Sequence, residues 1–236
     1  MLVCNLHENQ PNAPIKILFL TNNLDITSSL YDWLRFEEGH ENVVLWQKAL
    51  NPALLEDSLA DTSFLVSYNY KHILPKTVIS LFPRKAINLH ISMLPWNRGA
   101  SPNLWSFVHD TPKGVTIHVI DEGLDTGDIL LQQQIFFDES VETFESSYFK
   151  LHESIQRLFC DNWQSLKCGK INPVKQGSVR TLRETADFIR LHGISWSERI
   201  TDVKQRIITP PPRKNDYLTF AAASLLALTG VHNAAA

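Results

Sequence analysis

The sequence predicts an α/β fold on a mostly parallel twisted sheet, and three observations carry that expectation. Short apolar runs alternate with stretches of helical spacing, the pattern of strands joined by crossover helices. The first run, Ile15–Leu20, is apolar at nearly every position, as a buried strand is. The chain of 236 residues, 44% hydrophobic and 20% charged, is long enough for one good core with a small appendage.

The elements follow in order. Residues 1–14 are polar, contain Pro11 and Pro14, and read as a loose arm. After Ile15–Leu20, Thr21-Asn22-Asn23 makes a turn. Leu30, Trp33, Leu34 and Phe36 then give a helix that ends near Gly39. Val43–Trp46 is the second strand. Residues 51–59 read as a short helix capped by Asn51 with Pro52 in its first turn. Ser63–Tyr68 and Ala86–Ser92 are the next strands, with a short helical piece at 76–82 between them. Gly114–Asp121 and Ile129–Phe137 are two more, joined by the acidic loop Asp121–Asp128. Ser140 stands where it can cap a long helix marked by Phe144, Tyr148, Leu151, Ile155, Leu158, Phe159, Trp163 and Leu166 and closed by Gly169. Two further helices, split at Gly193, fit residues 181–207, and Pro210-Pro211-Pro212 reads as a stiff linker before an alanine-rich tail. The expected division is an arm at 1–14, a catalytic core at 15–168 and an extension at 169–236 that serves pairing of copies.

Composition narrows the function classes. A net charge of −3 offers nothing to a polyanion, so no nucleic-acid partner is expected. Cys4, Cys160 and Cys168 are odd in number and lack zinc-knuckle spacing, which reads as free thiols in a reducing compartment. There is no charged leader, and the longest apolar stretch, Tyr217–Leu228, falls short of the roughly 20 residues a membrane span needs. A cytoplasmic chain with no membrane partner is the expectation. A G-x-G-x-x-G turn, a Walker A loop, an H-E-x-x-H pair and a G-x-S-x-G elbow are all missing, which removes dinucleotide enzymes, P-loop enzymes, zinc proteases and serine hydrolases.

The segment Ile87-Asn88-Leu89-His90-Ile91-Ser92 carries the chemistry. On a strand its side chains alternate, so Ile87, Leu89 and Ile91 share one face and Asn88, His90 and Ser92 the other. A strand covered on both sides is ordinarily apolar on both. Polar groups gathered near its C-terminal end suggest a site, because ligands of open α/β sheets collect there. A lone His90 would read as a satisfied core histidine; with Asn88 on the same face, two buried polar groups need partners. The loop Asp121-Glu122-Gly123-Leu124-Asp125-Thr126-Gly127-Asp128 lacks the alternate-residue ligands and terminal Glu of an EF-hand, so no metal is expected there. Its glycines suggest a turn that aims one carboxylate.

The blocks I-N-L-H-I-S-M-L-P-W-N-R-G-A-S-P (Ile87–Pro102) and G-V-T-I-H-V-I-D-E-G-L-D-T-G-D-I-L (Gly114–Leu130) resemble the signature of the formyltetrahydrofolate-dependent formyltransferases. The resemblance covers roughly residues 15–165 and implies a Rossmann-like core. It also implies 10-formyltetrahydrofolate as formyl donor and Asn88, His90 and Asp125 as the catalytic group. Those side chains suit attack of an amine on a formyl carbon: an amide donor for the oxyanion, an imidazole that takes the amine's proton or, if protonated, stabilises the oxyanion, and a carboxylate to hold that imidazole or a water.

Among branches of that family, the glycine-rich phosphate loop of the glycinamide ribonucleotide enzymes has no counterpart in Thr21-Asn22-Asn23-Leu24-Asp25. The S-x-L-P-x-x-R-G-A motif is close to methionyl-tRNA formyltransferases, but the residues after the core do not read as their C-terminal barrel. The remaining branch is the sugar N-formyltransferases of bacterial O-antigen and other surface-polysaccharide synthesis, on dTDP-linked 4-amino-4,6-dideoxyglucose or a similar nucleotide sugar, with a homodimer implied. Ser67-Tyr68-Asn69-Tyr70-Lys71 resembles their S-x-x-x-K segment. This implies substrate contacts from Lys71, Tyr70, Trp96 and Arg98, with Tyr68 as a further base-stacking candidate. By position, His72-Ile73-Leu74 and Asp121-Glu122-Gly123-Leu124 would line the folate pocket.

Overall fold

The computed structural model describes residues 14–50, 61–178 and 185–207. The expected helix at 51–59, the proline run, the alanine-rich tail and nearly all of the arm lie outside them.

Strands β1 (Ile17–Leu20), β2 (Val43–Trp46), β3 (Phe64–Tyr68), β4 (Ala86–His90), β5 (Gly114–Val119) and β6 (Ile129–Gln134) form one sheet in the order β2-β1-β3-β4-β5-β6. The first four strands in that order run parallel. β5 and β6 are antiparallel to their neighbours, so the sheet is mostly parallel with a hairpin at one edge. Helix α1 is Leu24–Glu38, and the short α2 is Lys76–Ile79. The others are α3 (Pro102–Val108), α4 (Phe144–Lys167), α5 (Thr185–His192) and α6 (Ile200–Arg206).

β1 and β3 are apolar on both sides because both faces are covered. Ile17, Phe19, Phe64 and Val66 pack with Leu30 and Leu34 of α1 and with Leu151, Ile155, Phe159 and Trp163 of α4. Leu18, Leu20 and Leu65 pack on the opposite face with Leu74, Val78 and Phe82. Glu38, at the end of α1, locks the first layer: it accepts from Trp163 Nε1 at 2.7 Å, from Lys167 Nζ at 2.8 Å and from the Ile15 N–H at 2.9 Å.

Several boundaries differ from the sequence reading. α4 is capped by Thr143, not Ser140: Thr143 Oγ1 accepts from the Ser146 N–H and Ser146 Oγ accepts from the Thr143 N–H, a reciprocal box that Ser140 is too early to make. Ser140 instead turns onto Asp138. Phe36, counted in the apolar stripe of α1, is 81% exposed. α3 was not expected; all its residues are buried, so it has no amphipathic stripe by which to find it.

Candidate active site

β4 ends where the parallel part of the sheet meets the hairpin. Its register sets Asn88 beside Ser67 of β3 and opposite His118 of β5, and sets His90 opposite Thr116. Side chains paired across strands share a face, so the hairpin adds His118 to the polar face that β4 begins. Its ring centroid lies 6.4 Å from that of His90.

The acidic loop brings the third group. Asp121 closes its start by accepting from the Gly123 N–H and the Thr126 hydroxyl. Gly127 closes its end: a Cβ there would stand 1.7 Å from the carbonyl oxygen of Val119, so only glycine lets the loop fold back on β5. Between them Asp125 takes a left-handed backbone, φ 52°, and turns its carboxylate onto the face. Asn88 Nδ2 donates to its Oδ1 at 3.2 Å, and the Gly99 N–H donates to its Oδ2 at 2.8 Å. His90 Nδ1 lies 3.7 Å from Oδ2, and His118 Nε2 lies 3.5 Å from Oδ1. Asn88, His90 and Asp125 are therefore brought together, with His118 as a fourth member that the sequence reading missed.

Hydrogen bonds settle which ring nitrogens are open. His90 Nε2 donates to the Asn97 carbonyl at 3.1 Å, and His118 Nδ1 to the Val119 carbonyl at 2.8 Å. In a neutral ring the second nitrogen is then an acceptor. That leaves His90 Nδ1 as a lone pair beside Asp125, and His118 Nε2 as acceptor for Asn88 Nδ2 at 3.2 Å. When the rings are protonated, His118 Nε2 instead points its N–H at Asp125 Oδ1. Burial alone would raise the Asp125 carboxyl, but the charge of protonated His90, the hydrogen bond and charge of protonated His118, and the Gly99 N–H outweigh it and hold the group well below the usual carboxylate range.

The turn after β4 is fixed by buried polar contacts. Thr116 Oγ1 accepts from the Leu94 N–H and donates to the Ser92 carbonyl, and Ser92 Oγ donates to the Trp96 carbonyl. Trp96 is only 3% exposed, which leaves no open ring face for a nucleotide base. Tyr68 is fully buried, bonded through its hydroxyl to His152 Nδ1 at 2.6 Å; it belongs to the core, and burial pushes His152 down to about 3. Tyr70 is half-buried and donates to the Lys48 carbonyl. Lys71 is exposed at the end of β3, its N–H held by Asn22 Oδ1. Arg98 donates to Gln176 Oε1 and to the Gly177 carbonyl.

Of the two segments expected to line a folate pocket, Asp121–Leu124 is tied by Glu122 to Lys76, which lies two residues past His72-Ile73-Leu74, in an ion pair at 2.6 Å. Ile73 at 85% and Leu124 at 45% present apolar surface there, while Leu74 turns into the core. An open cavity of about 430 Å³ flanks the acidic loop, bounded by Arg84, Val119, Asp121, Gly127, Asp128 and Pro173. Among the described residues there is no cluster suited to hold a metal ion, and no helix is long and apolar enough to cross a membrane.

Comparison with known proteins gives this geometry a family. The formyltransferase PseJ from Anoxybacillus kamchatkensis, crystallised with UDP-4,6-dideoxy-4-formamido-L-AltNAc and tetrahydrofolate, is 37% identical. The match covers 81% of this chain and 100% of that one, with a TM-score of 0.68. Rv3404c from Mycobacterium tuberculosis, described as a likely sugar N-formyltransferase, shares the fold at a TM-score of 0.69 and 22% identity, over 86% of this chain and 90% of that one. The methionyl-tRNA formyltransferase of Syntrophus aciditrophicus (strain SB) is 32% identical over 191 residues, 77% of this chain and 59% of its own length. The chain spans somewhat under two thirds of such curated relatives. The profile described as formyl transferase matches residues 37–161, a span that holds Asn88, His90, His118 and Asp125, and the chain belongs to the formyl transferase family.

Proposed function

We propose that this chain moves a formyl group from 10-formyltetrahydrofolate to the amine of a nucleotide-linked amino-deoxy sugar, with Asn88, His90 and Asp125 as its catalytic residues. One observation carries the choice of acceptor: the match to PseJ runs the whole length of a protein crystallised with a formylated UDP-sugar and tetrahydrofolate, at 37% identity. The dTDP link expected from the sequence gives way, on that likeness, to a UDP-linked 4-amino-4,6-dideoxy sugar as the first candidate. A cytoplasmic homodimer serving O-antigen or other surface-polysaccharide synthesis completes the reading.

The geometry supports distinct roles. Attack of the amine on the formyl carbon forms a C–N bond, moves the carbonyl electrons onto oxygen and makes the amine proton acidic. His90 Nδ1, the open ring nitrogen, receives that proton, and Asp125 stabilises the imidazolium from 3.7 Å. Asn88 holds Asp125 and His118 with its two N–H groups. An oxyanion developing beside it is a stronger acceptor than the neutral His118 nitrogen and draws one of those donors to itself. As the formyl carbon leaves the folate nitrogen, His90 returns the proton to that nitrogen. Ile73 and Leu124 would cover the pterin, and Lys71 would face the pyrophosphate.

A second reading, formylation of methionyl-tRNA, is favoured by the curated relatives. The net charge of −3 speaks against a polyanionic acceptor. The test is incubation with 10-formyltetrahydrofolate and UDP-, dTDP- or GDP-linked 3- and 4-amino sugars, with methionyl-tRNA in a parallel arm, read by mass spectrometry. A sugar heavier by one formyl group, absent with Asn88→Ala, is the expected result. Formylated tRNA with untouched sugars would replace this reading with the second, and binding without turnover in every arm would leave a non-catalytic relative.

A further inference from the structure

The segment after α4 reaches back to the acidic loop. Val174 pairs with Ile129 at the start of β6, each backbone N–H donating to the other's carbonyl at 2.8 Å. Two residues on, Gln176 lies half-buried between the two loops that close on the Asn88–His90–Asp125 face. Both ends of its amide are used. Oε1 accepts from Arg98 Nε at 3.1 Å and Nη2 at 2.7 Å. Nε2 donates to the Asp125 carbonyl at 3.0 Å and to the Gly127 carbonyl at 2.5 Å. Nothing else among the described hydrogen bonds holds the backbone carbonyls of Asp125 and Gly127 at once.

We propose that Gln176 is a positioning residue: its amide locks the Asp125 turn to the Arg98 loop and thereby aims the Asp125 carboxylate at His90. Three features make an aiming device necessary. Asp125 has a left-handed backbone, φ 52°, which a non-glycine residue keeps only when its surroundings fix it. The Gly99 N–H that bonds Asp125 Oδ2 belongs to the loop next to Arg98, so the Arg98–Gln176 link and the Gly99–Asp125 link tie the same two loops at two points. The Asp125 side chain meets its histidines at 3.5 and 3.7 Å, distances that a small rotation of the turn would lengthen past useful contact.

The chemistry of the side chain is specific. Only a carboxamide offers an acceptor to a guanidinium and two N–H donors to two carbonyls from one planar group, and glutamine carries it at the reach used here. Glutamate keeps the Arg98 contact but turns a second oxygen toward the Asp125 and Gly127 carbonyls, a repulsive arrangement. Alanine removes both links without adding repulsion. In the roles assigned to Arg98, this one is a brace between loops.

The proposal rests on the functional reading above for its kinetic test, and a substrate-free measurement separates the two. Gln176→Ala and Gln176→Glu would be made in the full chain. The Asp125 carboxyl would be titrated by carbon-13 NMR with Asp125→Asn to assign the signal, alongside thermal midpoints and formyl-transfer kinetics. We expect Gln176→Ala to move the Asp125 midpoint upward. It should lower kcat about tenfold to a hundredfold, as misaiming a reacting group does, with KM for both substrates within about twofold. Gln176→Glu should be worse than Gln176→Ala in kcat, and Arg98→Ala in the Gln176→Ala background should add little to the kcat loss. An Asp125 titration unchanged in both variants, or kcat unchanged in Gln176→Ala, overturns the proposal. If the wild type forms no formylated product, the functional reading has failed, and the titration alone still decides whether Gln176 aims Asp125.

Discussion

Among the acidic side chains drawn in from solvent in the described residues, Glu38 and Asp125 are held in opposite ways. Glu38 is 2% exposed and is matched by a permanent cation, Lys167, with the Trp163 N–H and the Ile15 N–H taking its remaining lone pairs. Among the described residues no lysine or arginine makes an ion pair with the Asp125 carboxylate; the Arg98 charge acts on it from farther off. Its partners are a backbone N–H, an amide and two imidazoles, groups that can give up a contact or change charge. A carboxylate paired with a fixed charge and fully bonded can only hold structure. One balanced on titratable partners at the mouth of a sheet can respond when a proton arrives on a neighbour. The difference is the one expected between a brace, at Glu38, and the working group proposed at Asp125.

The largest expected effect breaks the comparison on its working side. Asp125→Asn keeps the shape and removes the charge that steadies a protonated His90. We expect kcat for formyl transfer to fall about a thousandfold, the scale of losing a buried electrostatic partner in a catalytic site. Stability at neutral pH should fall by about 1–3 kcal/mol, since an amide has one acceptor where the carboxylate used two and lacks the charge that strengthened both bonds. Product formation and a urea titration on the same preparation check both halves.

Glu38→Ala tests the other side. It strands the Lys167 ammonium, 6% exposed, and leaves the Trp163 N–H without its acceptor. Loss of one partner from a buried ion pair costs about 3–5 kcal/mol. The folded fraction should keep its kcat, because the pair lies in the layer between α1 and α4, away from the face of Asn88. A fall in kcat with unchanged stability would mean that Glu38 is no mere brace.

Much of this contrast was legible in the sequence, and the illegible part has a physical cause. Asn88 and His90 alternate with Ile87, Leu89 and Ile91 on a strand that ought to be apolar, which marks the site before any partner is known. The glycines around Asp125 mark the turn. His118 stands two residues after Thr116 in Gly114–Val119, but its meaning depends on an antiparallel register opposite Asn88, and no local pattern fixes that register. Trp96 and Tyr68 look like binding aromatics on motif position alone, and burial puts them in the core. α3 is invisible because no side of it is wet. Gln176 lies where periodicity has faded, and only its hydrogen bonds distinguish it.

His118 sharpens the comparison at a smaller scale. With Nδ1 on the Val119 carbonyl and Nε2 beside Asn88 and Asp125, both of its ring nitrogens are engaged within the face. His118→Asn should lower kcat about tenfold to a hundredfold. It should also raise the Asp125 carboxyl, because the hydrogen bond and the charge with which a protonated His118 holds it down are lost. The sign for stability follows. A carboxyl held below its ordinary value stabilises the fold above that ordinary value, and the contribution disappears as pH falls through the depressed one. Urea midpoints of the wild type should therefore drop between pH 5 and pH 2 more than those of Asp125→Asn, with His118→Asn between them. Parallel losses in all three proteins would show that the acid sensitivity lies elsewhere.

The smallest effect is expected at the rim, where charge is neither buried nor poised. Lys76 and Glu122 make a solvent-exposed pair at 2.6 Å that joins the Ile73 and Leu124 segments. Exposed pairs contribute little to stability, so the thermal midpoint of Lys76→Gln should match the wild type. If the pair helps gather the two apolar walls around the donor, KM for 10-formyltetrahydrofolate should rise about twofold to threefold while kcat stays constant. The wild-type KM should climb toward the variant's as salt is added, because salt screens the pair. A KM indifferent to both the substitution and salt would move the donor away from these walls, and the apolar surface of Ile73 and Leu124 would then need another occupant.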